Sequence, residues 1–224
     1  MPDDFSHMLA ETARKFEAQP DMQRTLQSVV DLAAEHLRGR GEVGVSMITR
    51  KREVETPAAS SDRAFRADAL QYELDEGPCL DATWEHETFQ VEDLPHDQHY
   101  PRWSPRVVAE TGLQGVVSYQ LFTDTTTLGA LNLYTDHPRP YEAVDRAEGL
   151  LFATHAAVAL QAARTEQQLN SGLLTRNMIG QAQGILMERF GLSAVRAFDF
   201  LARLSQDTNT KLSVVAQRVI ETPA

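Results

Sequence analysis

No proline occurs between Pro140 and Pro223, in a chain that contains ten of them. Proline breaks helix interiors, so this stretch is free to be helical throughout, and from Asp145 its pattern is helical. Ala147, Leu150, Leu151, Thr154 and Val158 recur at helical spacing as one stripe. The polar segment QAARTEQQLNSG (161–172) follows and marks a domain boundary at about 165–170, inside or beside a long helix. Three helices are expected in the tail. The first covers about Leu173–Phe190 and is stopped by Gly191. The second is capped by Ser193 and carries Val195, Phe198, Leu201, Ala202 and Ser205. The third buries Leu212, Val215, Ala216, Val219 and Ile220.

The front of the chain reads differently. Phe5, Met8, Leu9, Thr12 and Phe16 mark an amphipathic helix that ends near Pro20. A second helix repeats Leu26, Val29, Val30, Ala33 and Leu37, and Gly39-Arg40-Gly41 stops it. Val43, Val45 and Met47 alternate as a strand, and REVETPAAS (52–60) pairs back beside it. Residues 64–106, with Pro78, Pro95, Pro101 and Pro105, read as loop-rich. GVVSYQLF (115–122) and LGALNLYT (128–135) then read as adjacent strands.

Charge divides the chain at the same place. The net charge is −11, yet residues 166–224 hold six basic and five acidic side chains, or +1, which leaves −12 on residues 1–165. Overall acidity argues against nucleic acid, but only the first part is acidic, so two parts with different tasks are expected. No run of 18 apolar residues exists, and residues 1–16 lack an apolar signal core. A cytoplasmic protein with no membrane partner is expected. The single cysteine, Cys79, excludes an internal disulfide.

The first tail helix carries Gly180 and Gly184 one turn apart, each costing about 1 kcal/mol relative to alanine. Leu174, Met178, Ile179, Ala182, Ile185, Leu186 and Phe190 share one arc of about 160°, expected to form the core of a three-helix bundle. The glycines lie opposite, with Leu173, Asn177 and Met187. That face accepts close approach from a helix, a nucleic-acid backbone or the chain's own preceding domain. The residues RNMIGQAQGILMERFGLSAVRAFDFLARLSQDTNTKLSVVAQRVI (176–220) resemble the ANTAR domain, the RNA-binding module of transcription antitermination regulators. The family usually has a basic residue where this chain has Gln183.

The resemblance implies a homodimer that grips paired RNA stem-loops in a nascent transcript and keeps a terminator hairpin from forming. RNA loops can be read by hydrogen bonds and stacking. On that footing Arg176, Arg189 and Lys211 are candidates for phosphate contact. Gln183, Ser205, Gln206 and Asn209 are candidates for base or sugar contact, and Gly180 and Gly184 for close approach.

GPCLDATWEHETFQVEDL (77–94), SYQLF, LGALNLY and the long final helix resemble a GAF domain. That implies an antiparallel sheet with helices and a pocket for a small-molecule ligand whose identity the fold does not choose. The expected class is therefore α+β: an N-terminal helix at 1–20, a GAF-like sensory domain at 21–165 and an ANTAR-like three-helix bundle at 166–224. No cofactor is assigned. His96 and His99 with Asp93 and Asp97 are the best metal candidates but lack a fourth ligand. Cys79 leaves three readings open, a haem ligand, a sensing thiol or a buried small apolar side chain, the last being the commonest fate of a lone cysteine. His155 reads as a packed, hydrogen-bonded histidine, and no nucleophile elbow, phosphate loop or dinucleotide fingerprint occurs. No enzyme is expected. Two rivals remain open: a sensory module whose tail only dimerises, and a DNA reader, although the third helix offers only Lys211 and Arg218 as basic side chains.

Overall fold

A computed structural model describes residues 2–37, 41–49, 51–85, 88–124 and 126–222. It divides into two compact units, Met1–Arg164 and Thr165–Ala224. The first unit opens with α1 (Pro2–Glu17) and α2 (Met22–His36), the latter capped by the Asp21 carboxylate accepting from the Arg24 N–H. α2 ends at the Leu37 C-cap; Gly39 and Arg40 of the expected stop lie outside the described residues.

Five strands follow: β1 (Glu42–Ile48), β2 (Val54–Ala59), β3 (Phe89–Val91), β4 (Gly115–Thr123) and β5 (Thr126–Thr135). They form one antiparallel sheet in the order β2-β1-β5-β4-β3. Successive side chains alternate between faces. On one face Val43, Val45, Val117, Tyr119, Leu131 and Leu133 join Phe16, Leu26, Val29 and Val30 and the Phe152, Ala156 and Leu160 side of α6 (Ala143–Phe190) in the larger core. The other face carries Gly44, Ser46, Ser118, Gln120, Asn132 and Tyr134, by the register of β1, β4 and β5.

The second face is covered by α3 (Asp62–Leu74), α4 (Pro78–Glu85), a short 3-10 turn (Leu94–His96) and α5 (Trp103–Thr111). The loop-rich reading of 64–106 is thereby corrected. Pro78 opens α4, Pro95 lies in the 3-10 turn and Pro105 lies in the first turn of α5. In a first turn the missing N–H would have no intrahelical partner in any case. Trp103, buried among Leu70, Val107 and Val116, anchors this layer through its indole N–H to the Ala67 carbonyl.

α6 runs unbroken for 48 residues, so the Leu173–Phe190 helix is its final portion and Asn170-Ser171-Gly172 does not interrupt it. The expected stripe of Ala147, Leu150, Leu151, Thr154 and Val158 is present but exposed. The buried side is Phe152, Ala153, Ala156, Ala157 and Leu160.

In the second unit the last turns of α6 meet α7 (Ala194–Asp207) and α8 (Leu212–Glu221). The core is Ala182, Leu186, Ala197, Leu201, Val215 and Ala216, flanked by Ile179, Leu212, Val219 and Ile220. It is narrower than the expected arc, of which Leu174 and Phe190 are 64% and 67% exposed, and Val195 of α7 is 71% exposed. The class is α+β, an antiparallel sheet with helices followed by a helical C-terminal region.

Candidate functional site

The helix-covered face of the sheet holds a buried polar network. Asp68 of α3 is fully buried; its carboxylate accepts from Thr56 Oγ1 at 2.9 Å, from Asn132 Nδ2 at 2.8 Å and from the Tyr134 hydroxyl. Gly44 makes room for it, since a Cβ there would stand 2.2 Å from Asp68 Oδ2. Burial pushes the carboxyl up to about 6, against the hydrogen bonds from Tyr134, Thr56 and Asn132. Among the described residues no Lys or Arg is a partner of Asp68.

The hydroxyls beyond Asp68 form a directed chain. Ser46 Oγ accepts from Cys79 Sγ and from Asn132 Nδ2, both at 3.0 Å. Its own proton is therefore left for the Tyr72 hydroxyl at 2.6 Å. Tyr72 then donates to Thr56 Oγ1 at 2.7 Å, and Thr56 donates to Asp68. Every proton in this chain points towards the carboxylate. Cys79 is packed with Ala82 and Ala130, and burial pushes its thiol up to about 12; it is an inert core group, not a nucleophile.

The network is reached from outside through a cleft of about 430 Å³ between β2 and α3. Val54, Thr56 and Pro57 line one side, Phe65, Ala69 and Tyr72 the other, with Glu55 and Gln23 completing it. Thr56 and Tyr72 thus belong to both the cleft wall and the buried chain. This site was not found from the sequence. Its members come from β1, β2, α3, α4 and β5, and buried polar residues on a strand read like exposed ones.

Elsewhere His96 Nδ1 sits 2.8 Å from Asp93 and His99 lies beside Asp97. Among the described residues no group of three or more His, Cys, Asp or Glu is placed to hold a metal ion. The His155 ring lies 2.9 Å from the Leu151 carbonyl on its own helix.

The second unit spreads the nine candidate RNA residues over two situations. Gly180 and Gly184 are exposed, and a Cβ on either would meet nothing within 4 Å. Arg176 and Gln206 are exposed, Lys211 is the N-cap of α8, and Asn209 forms the α7–α8 turn with φ of 46°. The side chains of three others bond to backbone carbonyls of their own unit. Gln183 Nε2 donates to the Ala194 carbonyl at 3.1 Å, Arg189 Nη2 to the Thr222 carbonyl at 2.9 Å, and Ser205 Oγ to the Thr210 carbonyl at 2.6 Å.

A model of the GAF domain matches residues 19–161, and a model of the ANTAR domain matches residues 167–220. No curated protein matches the chain. Among solved structures, it is similar to the GAF domain from a phosphoenolpyruvate-protein phosphotransferase of Coxiella burnetii. That match has 16% identity and a TM-score of 0.58, and covers 73% of this chain and 96% of that one. A free methionine-R-sulfoxide reductase from Neisseria meningitidis, in complex with its substrate, matches with 14% identity and a TM-score of 0.57 over 72% and 91% of the two chains. At such identities the likeness is one of fold. No helix among the described residues is long and apolar enough to cross a membrane.

Proposed function

The chain belongs to the GAF family and carries an ANTAR domain at its C-terminal end, and from that membership we propose that it is a signal-responsive, RNA-binding transcription antiterminator. GAF domains are associated with small-molecule binding and ANTAR domains with RNA binding. The first unit senses a small ligand. The tail, as a homodimer, grips paired stem-loops in a nascent transcript and prevents formation of the terminator. The role is regulatory, not catalytic, and belongs to the cytoplasm.

The observation that carries this reading is the glycine pair. Gly180 and Gly184 leave an open strip of α6 that nothing in their own unit fills, although each glycine costs about 1 kcal/mol of helix stability. A close-approaching backbone accounts for that. Dimerisation is supported by Leu150, Leu151 and Val158, which are 44%, 48% and 60% exposed along α6 of the first unit. One observation favours the tail that only dimerises: the side chains of Gln183 and Arg189 are occupied within the bundle.

The test compares a looped RNA, a perfect RNA duplex and a DNA duplex at two salt concentrations. Selective, salt-sensitive binding to the looped RNA supports the proposal. Binding to none of the three leaves the dimerising tail, and preference for duplex DNA leaves the DNA reader.

A further inference from the structure

We propose that the cleft between β2 and α3 binds a small organic cation, an ammonium head on a compact apolar body. The inference rests on the reading of the first unit as a small-molecule sensor and names the class of ligand it senses. A cleft of about 430 Å³ is within the usual range of small-molecule sites. Its walls are apolar and aromatic: Phe65 and Tyr72 stand two turns apart on α3, opposite Val54 and Pro57 of β2. A cation over such rings is attracted by their quadrupoles.

The charge of the site has one sign. Glu55 is the charged side chain among the lining residues, and it has no ion-pair partner among the described residues. Among the described residues no Lys or Arg lines the cleft. Thr56, in the wall, hands its proton inward to Asp68 at 2.9 Å, so a carboxylate without a cation lies one hydroxyl behind the surface. An anion would meet Glu55 and the field of Asp68. A neutral ligand would gain apolar burial alone. Only a cation satisfies all of these features together.

Choline, its uncharged carbon isostere neohexyl alcohol and the anion tert-butylacetate are titrated into the isotope-labelled full chain and followed by backbone amide shifts. Choline is expected to saturate shifts at Thr56, Phe65 and Tyr72. It should bind about ten-fold or more tightly than neohexyl alcohol, the size of a desolvated cation–π and charge contribution. The tert-butylacetate should not bind. Glu55→Gln and Phe65→Ala alter exposed side chains, so the fold is retained. Each should weaken choline about three- to ten-fold while leaving neohexyl alcohol unchanged for Glu55→Gln.

Equal affinity for choline and neohexyl alcohol, tighter binding of tert-butylacetate, or no shifts at the cleft would each overturn the proposal. RNA affinity measured in the same samples separates the two readings. Choline seated in the cleft without any change in RNA affinity upholds the cation site and refutes the sensory coupling. A different small molecule that alters RNA affinity while choline fails to bind refutes the cation site and leaves the coupling intact.

Discussion

Asp68→Asn should stabilise the first unit at neutral pH and destabilise it in mild acid. The Asp68 carboxyl is raised from 3.8 to about 6 by burial. A raised carboxyl binds its proton more tightly in the folded state than in the unfolded one. Its contribution to stability is therefore fully present below the ordinary value and is lost as the pH rises towards and through about 6. At about 1.4 kcal/mol per pH unit, the loss is ~3 kcal/mol. Asparagine cannot ionise, so the variant escapes it.

The substitution has its own penalty. The new amide must donate towards Thr56, which reverses the hydroxyl chain through Tyr72 and Ser46 and turns the Cys79 thiol from donor to acceptor. One hydrogen bond of about 1 kcal/mol is lost. The variant should thus be ~2 kcal/mol more stable than the parent at pH 7.5 and ~0.5 kcal/mol less stable near pH 4. Both tryptophans, Trp84 and Trp103, lie in the first unit, so urea unfolding followed by tryptophan fluorescence reports that unit alone. Surface carboxylates held low by arginines, such as Glu73 beside Arg66, act equally in both proteins and cancel in the difference. Parent and variant curves that stay parallel from pH 4 to 7.5 would refute a raised Asp68.

Gly184→Leu should leave the second unit folded, because its side chain enters open space, and gain a few tenths to 1 kcal/mol in helix stability; sedimentation and RNA titration should show dimerisation or RNA binding abolished, and an active, more stable variant would show the face to be idle. Gln183→Lys exchanges the amide bonded to the Ala194 carbonyl, at a cost of about 1 kcal/mol or less, for a cation, and should tighten RNA binding and steepen the log–log salt dependence by a little under one per subunit; an unchanged slope over a salt series removes position 183 from the interface. Gly44→Ala forces a methyl against Asp68 Oδ2 and should destabilise the first unit by about 1–3 kcal/mol in the same urea assay. Inserting two residues after Gly172 rotates the remainder of the chain by about 200° and should uncouple ligand response from RNA binding; a response that survives unchanged would mean the coupling does not run through α6.

The strands were legible where one side of each is apolar and a polar turn intervenes, as in 115–122 and 128–135. The middle layer was not. Its prolines read as loop markers, while the structure uses Pro78, Pro95 and Pro105 to open helical turns. On α6 periodicity was a poor guide to burial because apolar residues surround the helix. The small side chains Ala153, Ala156 and Ala157 face the sheet, while the bulkier Leu150, Leu151 and Val158 are left outside. The open glycines of the tail were visible as an oddity of composition. The intrachain bonds of Gln183 and Arg189 were not, since their partners are backbone carbonyls 11 and 33 residues away.

The sharing of α6 also sets an order of events during synthesis. The first unit's larger core is closed by Phe152, Ala156 and Leu160, a few residues before the second unit begins at Thr165. At ribosomal speeds of about 5–20 residues per second, the second unit takes roughly 3–12 s to emerge. The first unit can therefore begin to pack before the second has been completed.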